Sequence, residues 1–159
     1  MLTGSAPIAG HVLEFLRVVF GCPVREGYGQ TECAAAATVT FATDYSCGHV
    51  GGPITCNEIK TVDVEEMGYT SKDADGPRGE LCIRGGNVFK GYYKDEAATS
   101  DALTDGWLHS GDLGEFDEDG FLSITGRKKD IIITAGGKNI APRPIEEAIE
   151  GGLIGSAIV

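Results

Sequence analysis

Val24-Arg25-Glu26-Gly27-Tyr28-Gly29-Gln30-Thr31-Glu32 reads as a short strand that empties into a glycine-loosened loop, which Ala34 to Ala37 then leaves. Upstream, Ile8 to Phe20 sets Val12, Leu13, Leu16, Val19 and Phe20 on one helical stripe, with His11, Glu14 and Arg17 at polar positions, and Gly21 ends it. Helix then strand makes an αβ unit with a polar loop at the strand's carboxyl end. Ligands of open α/β sheets settle beyond those ends, so the loop stands where a site would be.

Further along, Ile59 to Val64, Gly79 to Arg84 and Phe121 to Thr125 alternate apolar and polar residues between glycine-, aspartate- and proline-rich breaks, which predicts strands and turns. A hairpin is expected from Gly114-Glu115-Phe116 to Phe121-Leu122-Ser123-Ile124, because Asp117-Glu118-Asp119-Gly120 ends in the Asp-Gly pair that supplies positive φ. The spacing Glu115-x-Asp117-x-Asp119-Gly120 imitates the opening of a calcium loop, but its twelfth position is Gly126, where a bidentate glutamate is required. The hairpin is the better reading. Composition shifts again at Gly126-Arg127-Lys128-Lys129-Asp130. Beyond it come the β-rich run Ile131 to Thr134, a Gly136-Gly137 turn and a helix opened by Pro142 and Pro144, with Ile145, Ala148 and Ile149 on one face. The fold class is therefore α/β with a β-rich subdomain.

Composition narrows the function. The 159 residues carry 24 acidic against 13 basic side chains, a formal charge of −11. Such a chain repels a phosphate backbone, so nucleic acid is a poor partner. The apolar runs fall far short of the roughly 20 residues that span a bilayer, and Met1 to Pro7 lacks the plan of a secretory signal. Cys22, Cys33, Cys47, Cys56 and Cys82 form no CxxC pair and read as reduced thiols of a cytosolic protein.

Three segments could carry chemistry. Tyr28 to Glu32 offers an aromatic ring to stack on a purine, the Thr31 hydroxyl for a phosphate oxygen, and the Glu32 carboxylate for Mg²⁺, although an ordinary strand-to-loop turn explains it equally well. In Gly106-Trp107-Leu108-His109-Ser110-Gly111-Asp112, Asp112 could accept both hydroxyls of a ribose, while His109 is better read as a packed strand histidine. Gly126 to Asp130 is the one concentrated basic patch. It is either a solvated turn or a nucleotide clamp on a hinge, with Arg127 as a donor fork to the ribose and Lys129 where the backbone could rotate.

Together and in this order these segments resemble the adenylate-forming superfamily of acyl-CoA synthetases, firefly luciferase and peptide-synthetase adenylation domains. The resemblance rests on Gly4-Ser5-Ala6-Pro7, Tyr28 to Glu32, Gly79-Glu80-Leu81-Cys82-Ile83-Arg84-Gly85, Gly91-Tyr92-Tyr93, Gly106 to Asp112 and Gly126 to Asp130. Glu26 to Cys33, Gly48-His49-Val50-Gly51 and Val62 to Met67 are similar to long-chain fatty-acid CoA ligases, and Ile132 to Pro142 is also similar to the bubblegum-type branch.

The resemblance implies a partial acyl-CoA synthetase-like fold: residues 1–126 as the end of the large AMP-binding domain, residues 127–159 as the hinge and start of the C-terminal lid. It implies an acid-thiol ligase that activates a fatty acid with MgATP to an acyl-adenylate and passes the acyl group to CoA. The implied cofactors are ATP or AMP and Mg²⁺, with CoA as co-substrate. Tyr28 and Gly29 would lie against the adenine, Thr31 on the α-phosphate, Glu32 on magnesium, and Asp112 and Arg127 on the ribose, with Lys129 as the hinge. Gly4, Ser5, Ala6 and Pro7 would line the adenine and acyl pocket, and Gly136 and Gly137 would meet the pantetheine arm. The family's phosphate loop would precede Met1 and its lid lysine would follow Val159, so this stretch reads as a fragment lacking both ends that turns over little or no substrate alone. The implied location is the cytosol or the cytosolic face of a membrane, reached through segments outside this stretch. Two alternatives stay open: a ligase for another carboxylic acid, and a non-catalytic, truncated AMP-binding paralogue.

Overall fold

The computed structural model describes residues 1–72, 76–134, 139–140 and 142–149. The expected αβ unit is present. Strand β1 (Leu2–Thr3) pairs in parallel with β2 (Arg25–Tyr28) around helix α1 (Gly10–Phe20), and β3 (Thr38–Val39) and β4 (Gly52–Pro53) extend the sheet antiparallel. Gly21 closes the helix in the left-handed region, its N–H on the Val18 carbonyl. The helix starts at Gly10, two residues later than the apolar pattern suggested, because Ala9 is extended and uses its carbonyl to accept from the Val12 and Leu13 amides.

The apolar stripe of α1 is not a core face in this chain. Leu13 alone is buried, while Val19 and Phe20 are 57% and 53% exposed. The strands of its sheet are only two to four residues long. Arg17 supplies polar anchorage instead, donating to the carbonyls of Val24 (3.3 Å), Tyr45 (2.5 Å) and Ser46 (3.3 Å).

The middle of the chain forms a five-stranded antiparallel sheet from β5 (Asn57–Val62), β6 (Arg78–Gly85), β7 (Leu103–Thr104), β8 (Trp107–Phe116) and β9 (Leu122–Arg127). Strand β8 is its axis: β6 lies on one edge, and β7 and β9 share the other. Although residues 79–84 alternate in sequence, Gly79 to Ile83 are all buried. Leu81 packs with Val50 and Leu122, and Ile83 with Cys33, Ala37 and Leu108, so the apolar face of β6 reaches the first sheet. Glu80 and Cys82 point the opposite way, toward His109. Tyr28 packs against both apolar clusters and thereby wedges its loop between the sheets.

The hairpin lies where Asp-Gly placed it, pairing Gly114 with Ile124 and Phe116 with Leu122. Asp117 Oδ1 accepts from the amides of Asp119 (3.0 Å) and Phe121 (2.8 Å), which closes the turn. No group of three potential metal ligands occurs among the described residues. Helix α2 (Glu96–Ala102) carries no strong apolar period and escapes the pattern reading; Asp95 caps it through the Ala98 amide at 2.9 Å. After β9 come a 3₁₀ turn (Lys128–Asp130), the pair β10 (Ile132–Ile133) and β11 (Asn139–Ile140), and helix α3 (Pro142–Ile149). Gly136 and Gly137 lie outside the described residues. All five cysteines are free thiols, and no described helix is long and apolar enough to cross a membrane.

Leu81 is fully buried where the clusters meet. Truncation to alanine removes its contacts and leaves a void, so Leu81→Ala should lower the unfolding free energy in urea by about 2–5 kcal/mol. A loss under about 1 kcal/mol would show that the two-sheet core is not built around it.

Candidate functional site

Two cavities of about 880 and 1010 Å³ open between the sheets and share a wall of Ser5, Gly27, Gly29, Asp112 and Arg127. Gly4, Gln30, Thr31, Glu32, Tyr92, Ser110 and Lys129 border the first. Ala6, Pro7, Tyr28, Gly48 and His49 border the second. Each described residue expected at the site from sequence thus borders one cavity or both.

Asp112 organises the shared wall. It pairs across the sheet with Arg127, whose Nε donates to Asp112 Oδ1 at 3.0 Å. Tyr28 Oη donates to Asp112 Oδ2 at 2.7 Å from 84 residues away in sequence. The Asp112 side chain is 7% exposed and that of Arg127 is 61% exposed, so the acid is fixed and the guanidinium reaches solvent. A carboxylate oxygen has two acceptor sites, which leaves room on Asp112 for hydroxyl donors. Burial, and after it the neighbouring Asp112 charge, hold the Tyr28 phenol far above its ordinary range.

The loop after β2 tightens into the 3₁₀ turn Thr31–Cys33. Gly29 is required there: a Cβ would stand 2.6 Å from the Ala35 carbonyl. Asn87 donates to the carbonyls of Cys33 and Ala36, both at 2.8 Å, and the Phe89 amide donates to the Glu32 carbonyl, also at 2.8 Å. Tyr92 Oη donates to Glu32 Oε1 at 2.7 Å, a bond that raises the Tyr92 pKa. One carboxylate beside a cavity suits Mg²⁺, which is commonly held by one or two carboxylates together with waters and substrate phosphates. Gln30 and Thr38 also border the first cavity, and Gln30 Nε2 and Thr38 Oγ1 are buried without a hydrogen-bond partner.

The pattern reading missed Gln30, Thr38, Tyr92 and Ser110 as lining groups, although all but Thr38 stood inside the motifs that carry the resemblance. His109 lies in β8 as expected of a strand histidine, yet it also borders the first cavity, with Nδ1 3.4 Å from Cys82 Sγ and 3.5 Å from Glu80 Oε2. Burial, and then the Glu80 charge, push the Cys82 thiol up to about 11, so it is no nucleophile at neutral pH. The grouping Asp44, Ser46 and His49 resembles a hydrolytic triad but has the wrong polarity. His49 Nδ1 accepts from the Gly51 amide at 3.0 Å, so Nε2 carries the proton and cannot activate Ser46, 2.7 Å away.

The model of the family described as AMP-binding enzyme matches residues 1–93. Long-chain-fatty-acid–CoA ligase 1 of Homo sapiens is 52% identical over 147 residues, 92% of this chain, and the peroxisomal long chain acyl-CoA synthetase 7 of Arabidopsis thaliana is 50% identical over the same share. The chain spans 21% of the length of these relatives. Among solved structures, ATP-bound MatB from Rhodopseudomonas palustris superposes with a TM-score of 0.80 at 32% identity, covering 95% of this chain and 29% of that one. O-succinylbenzoate coenzyme A synthetase from Bacillus subtilis, in complex with ATP and magnesium ion, gives 0.78 at 32% identity, covering 94% and 30%.

The folded chain retains the Tyr28 proton more tightly than the unfolded chain does. The stability this contributes is complete below about pH 10 and is lost as the pH rises above it. Between pH 9 and 11.5, unfolding free energy should therefore fall more steeply for the wild type than for Tyr28→Phe, by up to about 1.4 kcal/mol per pH unit. Parallel slopes would mean that the phenol is not held as described.

Proposed function

The chain belongs to the AMP-binding enzyme family, and on that premise we propose that it carries the ribose and metal side of a site where a long-chain fatty acid is activated with ATP and passed to CoA. The observation that carries this reading is the convergence of Tyr28 and Arg127 on the Asp112 carboxylate in the wall common to both cavities. The long-chain substrate is supported by the identity to long-chain ligases across nearly the whole of this stretch.

In this reading Asp112 accepts the ribose hydroxyls with the acceptor capacity that Tyr28 and Arg127 leave over. Arg127, largely exposed, adds donors to the same sugar. Tyr28 and Gly29 flank the base, and Ala6 and Pro7 continue the apolar wall toward the acyl group. Thr31 donates to the phosphate at which the fatty-acid carboxylate attacks. Glu32, oriented by Tyr92, would hold Mg²⁺, which when bound would supply positive charge against the phosphates. We further assign residues 1–126 to the end of the nucleotide-binding domain and 127–159 to a hinge and the start of a lid. Lys129, in the 3₁₀ turn after Arg127, is the pivot that lets one site serve adenylation and then thioester formation. Gly136 and Gly137 would admit the pantetheine arm.

Pyrophosphate exchange by the full gene product should respond to palmitate or oleate and not to short or aromatic acids. Exchange with an aromatic acid alone would transfer the reading to another ligase, and no exchange with any acid would leave a non-catalytic nucleotide binder. Asp112→Asn should raise half-saturating ATP about tenfold or more, and Glu32→Gln should raise half-saturating Mg²⁺ about tenfold or more. Unchanged values would remove these residues from their assigned roles.

A further inference from the structure

The pairing of β6 with β8 breaks beside the site. Glu80 pairs with Leu113 and Cys82 with His109, so the single residue Leu81 opposes Ser110, Gly111 and Asp112. Those three bulge out of the ladder and become the cavity wall. A bulge frees backbone amides that must find partners, and in a buried strand the partners must come from the protein. Two side chains supply them here. Ser110 Oγ accepts from the Asp112 amide at 3.1 Å, and Glu80 Oε1 accepts from the Gly111 amide at 3.2 Å. Gly111, at φ +72°, makes the reversal that turns Asp112 toward Arg127 and Tyr28.

Glu80 is an unusual residue for the centre of a buried strand. It is 7% exposed overall, and its other oxygen, Oε2, faces Lys128 Nζ and His109 Nδ1, each at 3.5 Å. A carboxylate is costly to bury unless it is paired and hydrogen-bonded. This one spends one oxygen on the bulge and turns the other to the residue directly after Arg127. It does not border either cavity, so it stands behind the wall.

We propose that Glu80 is the positioning residue of the ribose site: it pins the Ser110 to Asp112 bulge through the Gly111 amide and so sets the aim of the Asp112 carboxylate. The inference rests on the ribose reading of Asp112 given above and deepens it. Without the Glu80 acceptor the Gly111 amide has no partner, the bulge relaxes, and Asp112 no longer meets the sugar in a fixed orientation. The loss then falls on discrimination of the ribose hydroxyls rather than on the fatty acid.

The test measures half-saturating ATP, 3′-deoxyATP and palmitate for adenylation by the full gene product and its Glu80 variants. The wild type should favour ATP over 3′-deoxyATP about tenfold or more. Glu80→Ala should bring that ratio close to one while leaving half-saturating palmitate unchanged. Glu80→Gln, which keeps an acceptor for the Gly111 amide, should retain the preference. Glu80→Asp, one methylene too short to reach, should lose it as Glu80→Ala does, and it carries the test should the alanine variant not fold. A preserved ratio in Glu80→Ala or Glu80→Asp, a lost ratio in Glu80→Gln, or an equal loss for palmitate would overturn the proposal. A wild type that fails to distinguish ATP from 3′-deoxyATP would instead remove the ribose role of Asp112, and the inference with it.

Discussion

One buried carboxylate, Asp112, ties together three elements that sheet pairing and apolar packing bring side by side. Tyr28 comes from the end of β2, Arg127 from the end of β9, and Asp112 from the bulge in β8. A carboxylate placed there is stable only while hydrogen bonds and a cation compensate it. The contact therefore constrains the two sheets, the bulge and the entry to the Lys128–Asp130 turn at once. Burial of Tyr28 against both apolar clusters fixes the distance, and that burial, with the Asp112 charge after it, raises the pKa of the phenol.

Around that contact the sheets divide the work. Leu81, Ile83, Leu108 and Leu122 make a core that needs no polar group. The opposite face of β6 carries Glu80 and Cys82 among His109 and Lys128. A strand with apolar residues on one face and a buried polar set on the other can be central to a sheet and still serve a site. This explains why its alternation does not mark a solvent-facing surface.

Much of this was legible in the sequence because it depends on local chemistry. Asp117 and Gly120 fix a turn, Gly21 stops a helix, Pro142 opens one, and Tyr28 to Glu32 sits in a strand-to-loop transition. The six segments quoted for the family resemblance carried the rest, and the membership they implied holds. What stayed hidden depends on register. No spacing rule says that Leu81 faces three residues of β8, that Glu80 reaches Gly111 thirty-one positions on, or that Tyr92 bonds Glu32 sixty positions back. The exposure of Val19 and Phe20 was hidden for a related reason: an amphipathic period reports which face is apolar, not whether anything in the chain covers it.

The central claim is spatial, and a crystal structure of the full gene product with AMP tests it most directly. The account predicts the ribose 2′- and 3′-hydroxyl oxygens within about 3 Å of Asp112, with Tyr28 still donating to that carboxylate. AMP bound away from the wall that the two cavities share, or a carboxylate from another residue on the ribose, would contradict it.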